Sequence, residues 1–410
     1  MSDARQRRFE RDVDRWIQVA HARGVGSFAE LVNALPGVYP TDVRLSLCRV
    51  KQFNPLLAAW NDSILADMST PSIVANNRGW RKPVPHALDY DWRFTDSTIE
   101  YFVSKMESRN VSSGSVLFIG VPSVFERVRS RRVESSSTGL IDLNAANGQS
   151  ESNVWRLDVT SAPLPQYSAD LVVIDPPWYS EYFRSFLWAA ASMANVGGRI
   201  LCGIPAEGCR PGMASEWSEI ETWSKELGLV VSDVSEDVLR YRTPPFESNA
   251  LKAAGIHANL GDWRKGCLVD FRRVRASVAQ RPAVTAVAEW EELELGSVRW
   301  KWRVQQYGSK GDPRLHSFIE GDIFPTVSRR DDRRELISVW TSGNRVFQCH
   351  DTGIFAGLLH RFLKDRFGRC WASSSKGDKA RAGSSSRLSE SDVLEMIGRI
   401  QRREEAEYGD

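Results

Sequence analysis

The residues whose types and order invite chemistry are Asp175-Pro176-Pro177-Trp178-Tyr179, directly behind the aliphatic run Leu171-Val172-Val173-Ile174. A run enriched in β-branched residues and apolar on both alternating faces predicts a strand covered on both sides. Two prolines cannot donate to a ladder, so pairing must stop at Asp175. The carboxylate is therefore delivered to the rim of the sheet, where open α/β sheets place their ligands. Asp175, Pro176, Pro177 and Trp178 are the candidate catalytic residues, with Tyr179 beside them as a second aromatic surface.

Other chemistry-bearing residues are weighed against plainer roles. The stretch Tyr241-Arg242-Thr243-Pro244-Pro245-Phe246-Glu247-Ser248-Asn249 supports two readings. It is a stiffened substrate loop in which Arg242 and Asn249 hold a phosphate or a base edge, or it is a rigid connector between edge strands. Arginines cluster at 127, 129, 131 and 132 and again at 329, 330, 333 and 334, the second set in a segment that also carries Trp300 and Trp302. Phosphate contact with stacking is one reading, but the interleaved Asp331, Asp332 and Glu335 favour a solvated, self-paired face. Cys202 and Cys209 read as packing thiols. His86, His257, His316, His350 and His360 show no ligand spacing, so no metal site is expected.

The elements that must position Asp175 follow from periodicity. From residue 114 the chain alternates: strand Val116–Ile119, helix 125–132, strands at 139–143 and 154–159, the strand ending at Ile174, helix 182–194, strand 199–204, helix 217–227, then strands 230–234 and 266–271. Such alternation implies right-handed crossovers and a doubly wound, mostly parallel, Rossmann-like α/β sheet, with an antiparallel pair at its end. Residues 1–80 read as a helical module. Ser27 and Glu30 form a capping box and Pro36-Gly37 a break, so two short helices around a turn resemble a helix-turn-helix or winged helix; a plain helical cap or oligomerisation element fits equally. The expected division is 1–80, 90–278 for the sheet domain, and 285–410 for a small β-rich domain with a hairpin at Gly343-Asn344 and a terminal helix. The acidic and aromatic cluster Asp89 to Phe94 leads into the sheet domain, as part of a pocket or as packing. Asn76-Asn77 lies in the preceding connection, and 373–386, rich in Ser, Gly, Lys and Arg, reads as a linker.

Totals set outer bounds. A chain of 410 residues exceeds what one core organises, so two or three domains are expected. A formal charge of +2 excludes bulk electrostatic capture of nucleic acid and leaves only a local basic face for such a partner. Six cysteines without a Cys-x-x-Cys pair signal neither a disulfide framework nor structural zinc, which suits a cytoplasmic setting. No run reaches membrane-span length and the N-terminus lacks a signal-peptide core, so no membrane partner is expected.

With strand four ending in Asp-Pro-Pro-Trp, the middle of the chain resembles a class I S-adenosylmethionine-dependent methyltransferase of the amino-methylating kind. The resemblance implies that the Asp175 carboxylate and the Pro176 carbonyl grip the two N–H bonds of an exocyclic amino group, adenine N6 in DNA or RNA first among acceptors, while Trp178 or Tyr179 stacks the base. It also implies cofactor contacts: Gly120, Pro122 and Ser123 in the turn after strand one facing the methionine part, Asp142 on the ribose, and Asp158 near the adenine. Only Gly120 remains of the usual Gly-x-Gly, which motivates an alternative, a degenerate scaffold for protein or nucleic-acid interaction. A weaker resemblance is to branched-chain polyamine synthases, which join an N-terminal winged helix to such a core and transfer an aminopropyl group. Their acidic strand-one turn is replaced here by Val121-Pro122-Ser123.

Overall fold

Aliphatic runs become strands here because covered sheets demand them. In the computed structural model, β1 (Val116–Ile119), β2 (Thr138–Ile141), β3 (Val154–Trp155), β4 (Ala169–Ile174), β5 (Ala194–Pro205), β6 (Leu229–Tyr241) and β7 (Arg264–Arg273) form one sheet in the order β3-β2-β1-β4-β5-β7-β6. The first five strands are parallel, and β7 lies antiparallel between β5 and β6. This is the doubly wound, mostly parallel Rossmann-like sheet that the sequence implied. The description covers residues 2–71, 80, 82–107, 114–131, 137–145, 153–277, 279–283, 289–304, 311–367 and 387–408. The expected linker 373–386, Asn76-Asn77, Arg132 and Cys370 lie outside it.

The chain divides into two compact units, the first comprising Met1–Ser72, Trp92–Thr243 and His257–Thr285, the second Ile73–Asp91, Pro244–Ile256 and Ala286–Asp410. In the first unit, α1 (Ser2–Ala22), α2 (Phe28–Ala34), α3 (Pro40–Phe53) and α4 (Ala58–Ser69) make up the N-terminal segment, with no strand among its described residues. Ser27 caps α2, its hydroxyl accepting from the Glu30 amide at 3.2 Å, while the Glu30 carboxylate reaches back one residue past the cap to accept from the Gly26 amide at 2.9 Å. This segment belongs to the sheet's own unit and abuts β7, where Lys265 Nζ donates to the Asn33 carbonyl at 2.6 Å. Gly37, at a φ of +73°, lies against the Lys265 backbone. A side chain at Gly37 would be strained as well as crowded.

Helices α5 (Asp96–Glu107) and α6 (Pro122–Ser130) cover one face of the sheet; α7 (Ser180–Met193) and α8 (Met213–Glu226) cover the other. Leu171 and Val173 of β4 point into the first core and Val172 and Ile174 into the second, all at most 1% exposed. That double burial is why β4 reads as a continuous apolar run.

The second unit holds a four-stranded antiparallel sheet, order β11-β10-β9-β8, from β8 (Trp290–Leu295), β9 (Val298–Arg303), β10 (Val339–Thr341) and β11 (Val346–Phe347). With it go α9 (Pro245–Ala253), α10 (Thr352–Phe367) and α11 (Arg387–Tyr408). Trp300 and Trp302 are buried in its core with Phe355, Leu359, Val393 and Ile397, so they do not stack nucleobases. The expected hairpin turn forms, with Asn344 at a φ of +69°. Its neighbour Arg345 is fully buried and pairs with Glu404 and Glu407 of α11. No helix among the described residues is long and apolar enough to cross a membrane.

Candidate functional site

The end of β4 places Asp175 at the C-terminal rim of the parallel strands, between the ends of β1 and β5. Its amide still donates to the Ile119 carbonyl of β1 at 3.4 Å, and the two prolines then end the ladder as their chemistry requires. Three neighbouring strands shape the space around the carboxylate. On β5, Gly203 has no side chain, and a Cβ built there would lie 2.5 Å from Asp175 Oδ1. On β6, the Tyr241 hydroxyl donates to Oδ1 at 2.8 Å. On β7, Arg264 brings a positive charge into the same recess.

Burial dominates the electrostatics and pushes the Asp175 carboxyl up to about 7, against the opposing pull of the Tyr241 hydrogen bond and the Arg264 charge. Asp175 as a residue is partly exposed at the rim. Tyr241 remains a donor throughout, because burial first and the Asp175 charge second hold its hydroxyl well above the usual phenol range. Burial does the same to the neighbouring Cys202 thiol, which fits its reading as a packing residue.

Trp178 is engaged by an arginine. The Arg264 guanidinium carbon lies 4.1 Å from the Trp178 ring centroid and 4.1 Å from that of Trp92, a double cation–π clamp. Tyr241 meets Trp178 edge-on at 5.4 Å, and Phe94 packs on Tyr241 at 4.9 Å. Trp92 continues to Trp263 and that ring to Tyr39, at 6.2 and 5.5 Å. A wall of rings thus runs from the start of α3 to the carboxylate. Tyr179 caps the start of α7 and is partly exposed, the aromatic of the motif outside that wall.

The remaining expected residues fall as follows. Gly120 turns the chain after β1 at a φ of +71°, and Val121 leads at once into α6 with Pro122 in its first turn. One left-handed glycine therefore survives where the motif has two, and the Phe186 ring packs against it, 3.1 Å from where a Cβ would be. Ser123 is in the first turn of α6. Asp142 follows β2 directly, with Oδ1 accepting the Asn144 amide at 2.7 Å. Asp158 is exposed and holds the Thr160 amide and hydroxyl at 2.8 and 2.7 Å, a local turn. A carboxylate at the end of β2 and a positive-φ glycine at the end of β1 fit the ribose and turn positions of a nucleoside cofactor.

Arg242 and Asn249 are not brought together. Arg242 pairs with Asp96 at 2.7 Å in the first unit. Asn249 is 7% exposed in the second, where its amide donates to the Gly343 carbonyl at 2.9 Å and to Glu407 at 3.1 Å. The Asn249 amide is thus engaged by groups of the second unit. The arginine clusters are self-paired where described, Arg127 and Arg131 with Glu100 and Arg333 with Asp331. The Asp89–Phe94 cluster divides, Asp89 pairing with Arg299 and Lys301 of β9 and Trp92 joining the clamp on Arg264. No group of metal-binding side chains occurs among the described residues.

No family model matches the chain, and no curated protein matches its sequence. Among solved structures it is similar to the branched-chain polyamine synthase of Thermus thermophilus, in complex with N4-aminopropylspermidine and 5'-methylthioadenosine. There the identity is 12%, the TM-score 0.48, and the coverage 68% of this chain and 91% of that one. It is also similar to the ribosomal protein L11 methylase of Lactobacillus delbrueckii subsp. bulgaricus, at 15% identity and a TM-score of 0.29, over 44% of this chain and 80% of that one.

Proposed function

We propose that the protein is an S-adenosylmethionine-dependent methyltransferase acting on an exocyclic amino group, with a nucleobase, adenine N6 first, as the acceptor. The observation that carries this reading is the Asp175 carboxylate, held at the strand rim by one hydrogen bond and beside the cation of Arg264. An exocyclic aromatic amine is neutral and needs an oxygen acceptor to orient an N–H bond and then take the proton released as nitrogen gains a methyl group. Asp175 does both when ionised, and its raised proton affinity makes it a better base than an ordinary carboxylate. The Pro176 carbonyl is the second acceptor in this scheme, and Tyr179 offers the stacking face, since Trp178 is occupied by Arg264.

Asp142 would hold the ribose hydroxyls of the cofactor and Gly120 the turn beside it, with Ser123 and Pro122 opening α6 and Asp158 lying toward the adenine side. Bound S-adenosylmethionine supplies an electrophilic methyl group. The Arg264 charge also argues on substrate class. It cancels the charge of an ionised Asp175, which leaves little net attraction for an aliphatic ammonium ion and favours a neutral amine over a polyamine. A nucleic-acid partner and a cytoplasmic setting are proposals alongside it.

The test is calorimetry with S-adenosylmethionine and S-adenosylhomocysteine, then transfer of labelled methyl to adenine-containing DNA and RNA. Binding with transfer abolished in Asp175→Ala supports the reading. No binding at millimolar cofactor would return the chain to the scaffold alternative, and turnover of spermidine with decarboxylated S-adenosylmethionine would return it to aminopropyl transfer.

A further inference from the structure

We infer that Tyr241 and Arg264 are the positioning residues of Asp175: Tyr241 takes Oδ1 and leaves Oδ2 to the acceptor, while Arg264, clamped between two tryptophans, holds the carboxylate ready as an anion. The inference rests on the amino-transfer reading for its meaning, but on geometry for its content. Among the described residues Tyr241 is the hydrogen-bond partner of the carboxylate, at 2.8 Å, and its ring packs against those of Phe94 and Trp178, at 4.9 and 5.4 Å. Gly203 supplies the space in which Oδ1 sits. A carboxylate with one oxygen tied to a buried hydroxyl cannot swing, so the second oxygen has one direction in which to meet an amine.

Arg264 acts through the same device. A guanidinium has five N–H donors and two flat faces, and here its carbon lies over two indole rings, those of Trp92 and Trp178, at 4.1 Å each. Stacking on two rings restricts where the cation can sit, so packing helps to fix its field at Asp175. Among the described residues, the titratable groups that act on Asp175 are Tyr241 from β6, Arg264 from β7 and Cys202 from β5. The first two favour the ionised carboxylate and the third is a neutral thiol. Loss of either positioning group makes Asp175 harder to ionise.

The experiment uses the full chain labelled with ¹³C at aspartate carboxyls, the Asp175 signal being assigned by its loss in Asp175→Asn, and titrated from acid to alkaline pH. Tyr241→Phe and Arg264→Gln are each expected to move the Asp175 midpoint upward by about one pH unit. Arg264→Lys, which keeps the charge and loses the double stacking, is expected to fall between wild type and Arg264→Gln. Unmoved midpoints in both Tyr241→Phe and Arg264→Gln would overturn the inference, and the readout needs no substrate. Its failure is separable from that of the amino-transfer reading: midpoints that move while Asp175→Ala retains full transfer activity leave the positioning intact and refute the reading. Unmoved midpoints beside an inactive Asp175→Ala do the reverse.

Discussion

Replacing Gly203 with alanine tests the geometry of the site with one methyl group. The added Cβ would meet Asp175 Oδ1 at 2.5 Å, Leu239 Cδ1 at 3.2 Å and Asp175 Cγ at 3.3 Å. Ordinary contact begins at 3.4 Å, so the oxygen must retreat by 3.4 − 2.5 = 0.9 Å, or β4 and β5 must part. The strands are paired up to this point, Val173 opposite Leu201 and Ile174 opposite Cys202, and resist parting. The carboxylate is the softer member, and its movement disrupts the 2.8 Å bond from Tyr241. Overpacking a core costs about 1–3 kcal/mol, and a strained hydrogen bond to a charged group adds about 1 kcal/mol of the roughly 1.5–3 kcal/mol it is worth. Displacement of a reacting group by about 1 Å costs on the order of a hundredfold in rate. Urea denaturation should therefore show a loss of about 2–4 kcal/mol, and methyl transfer should fall far more than cofactor affinity does. Wild-type stability with an unmoved Asp175 signal would refute the reasoning, because a side chain would then fit where the structure leaves no room.

Other outcomes follow from the same interactions. Asp175→Asn should be more stable than wild type at pH 8 by up to a few kcal/mol, with the gain vanishing near pH 4. Folding raises this carboxyl from 3.8 to about 7, so wild-type stability is fullest at low pH and is lost as pH climbs through that range; melting curves across pH read it directly. Asp142→Ala should weaken S-adenosylhomocysteine binding by about 10–100-fold by calorimetry, the worth of a charge-assisted pair of ribose hydrogen bonds. Glu404→Ala should destabilise the second unit by about 3–5 kcal/mol in denaturant titration, because it removes one of the two carboxylates paired with the fully buried Arg345 and the acceptor of the Thr341 hydroxyl and the Gly343 amide. Glu404→Gln should cost far less at neutral pH, since burial already pushes the Glu404 carboxyl up to about 7.

Legibility followed burial. The strand that ends at Asp175 could be read because both of its faces meet apolar cores, and the sheet of the second unit was partly visible in the hairpin turn at Gly343-Asn344. Strand β6 was read only from Val230 to Val234, yet it continues to Tyr241. It is an edge strand, with Val230, Val231 and Val234 exposed and register shifts near Asp233 and Leu239, so its hydropathy has no period to follow. That is why Tyr241 was assigned to a loop, and why its bond to Asp175 went unseen. Strand β8, with four of its six residues charged or aromatic at Trp290-Glu291-Glu292-Leu293-Glu294-Leu295, gave equally little signal.

The sequence alone determined where a carboxylate reaches the rim of a parallel sheet, because prolines and aliphatic runs act on the local backbone. It also determined Asp142 as the acid after strand two. Only the tertiary structure decided what surrounds those groups. Trp92, Gly203, Tyr241 and Arg264 come from four separate segments, and their meeting depends on the order of β5, β7 and β6 in the sheet. Asn249 and Arg242, seven residues apart in sequence, belong to different units for the same reason. Local chemistry places a residue at the end of a strand, and the packing of distant strands decides whether it is a base, a clamp or a piece of core.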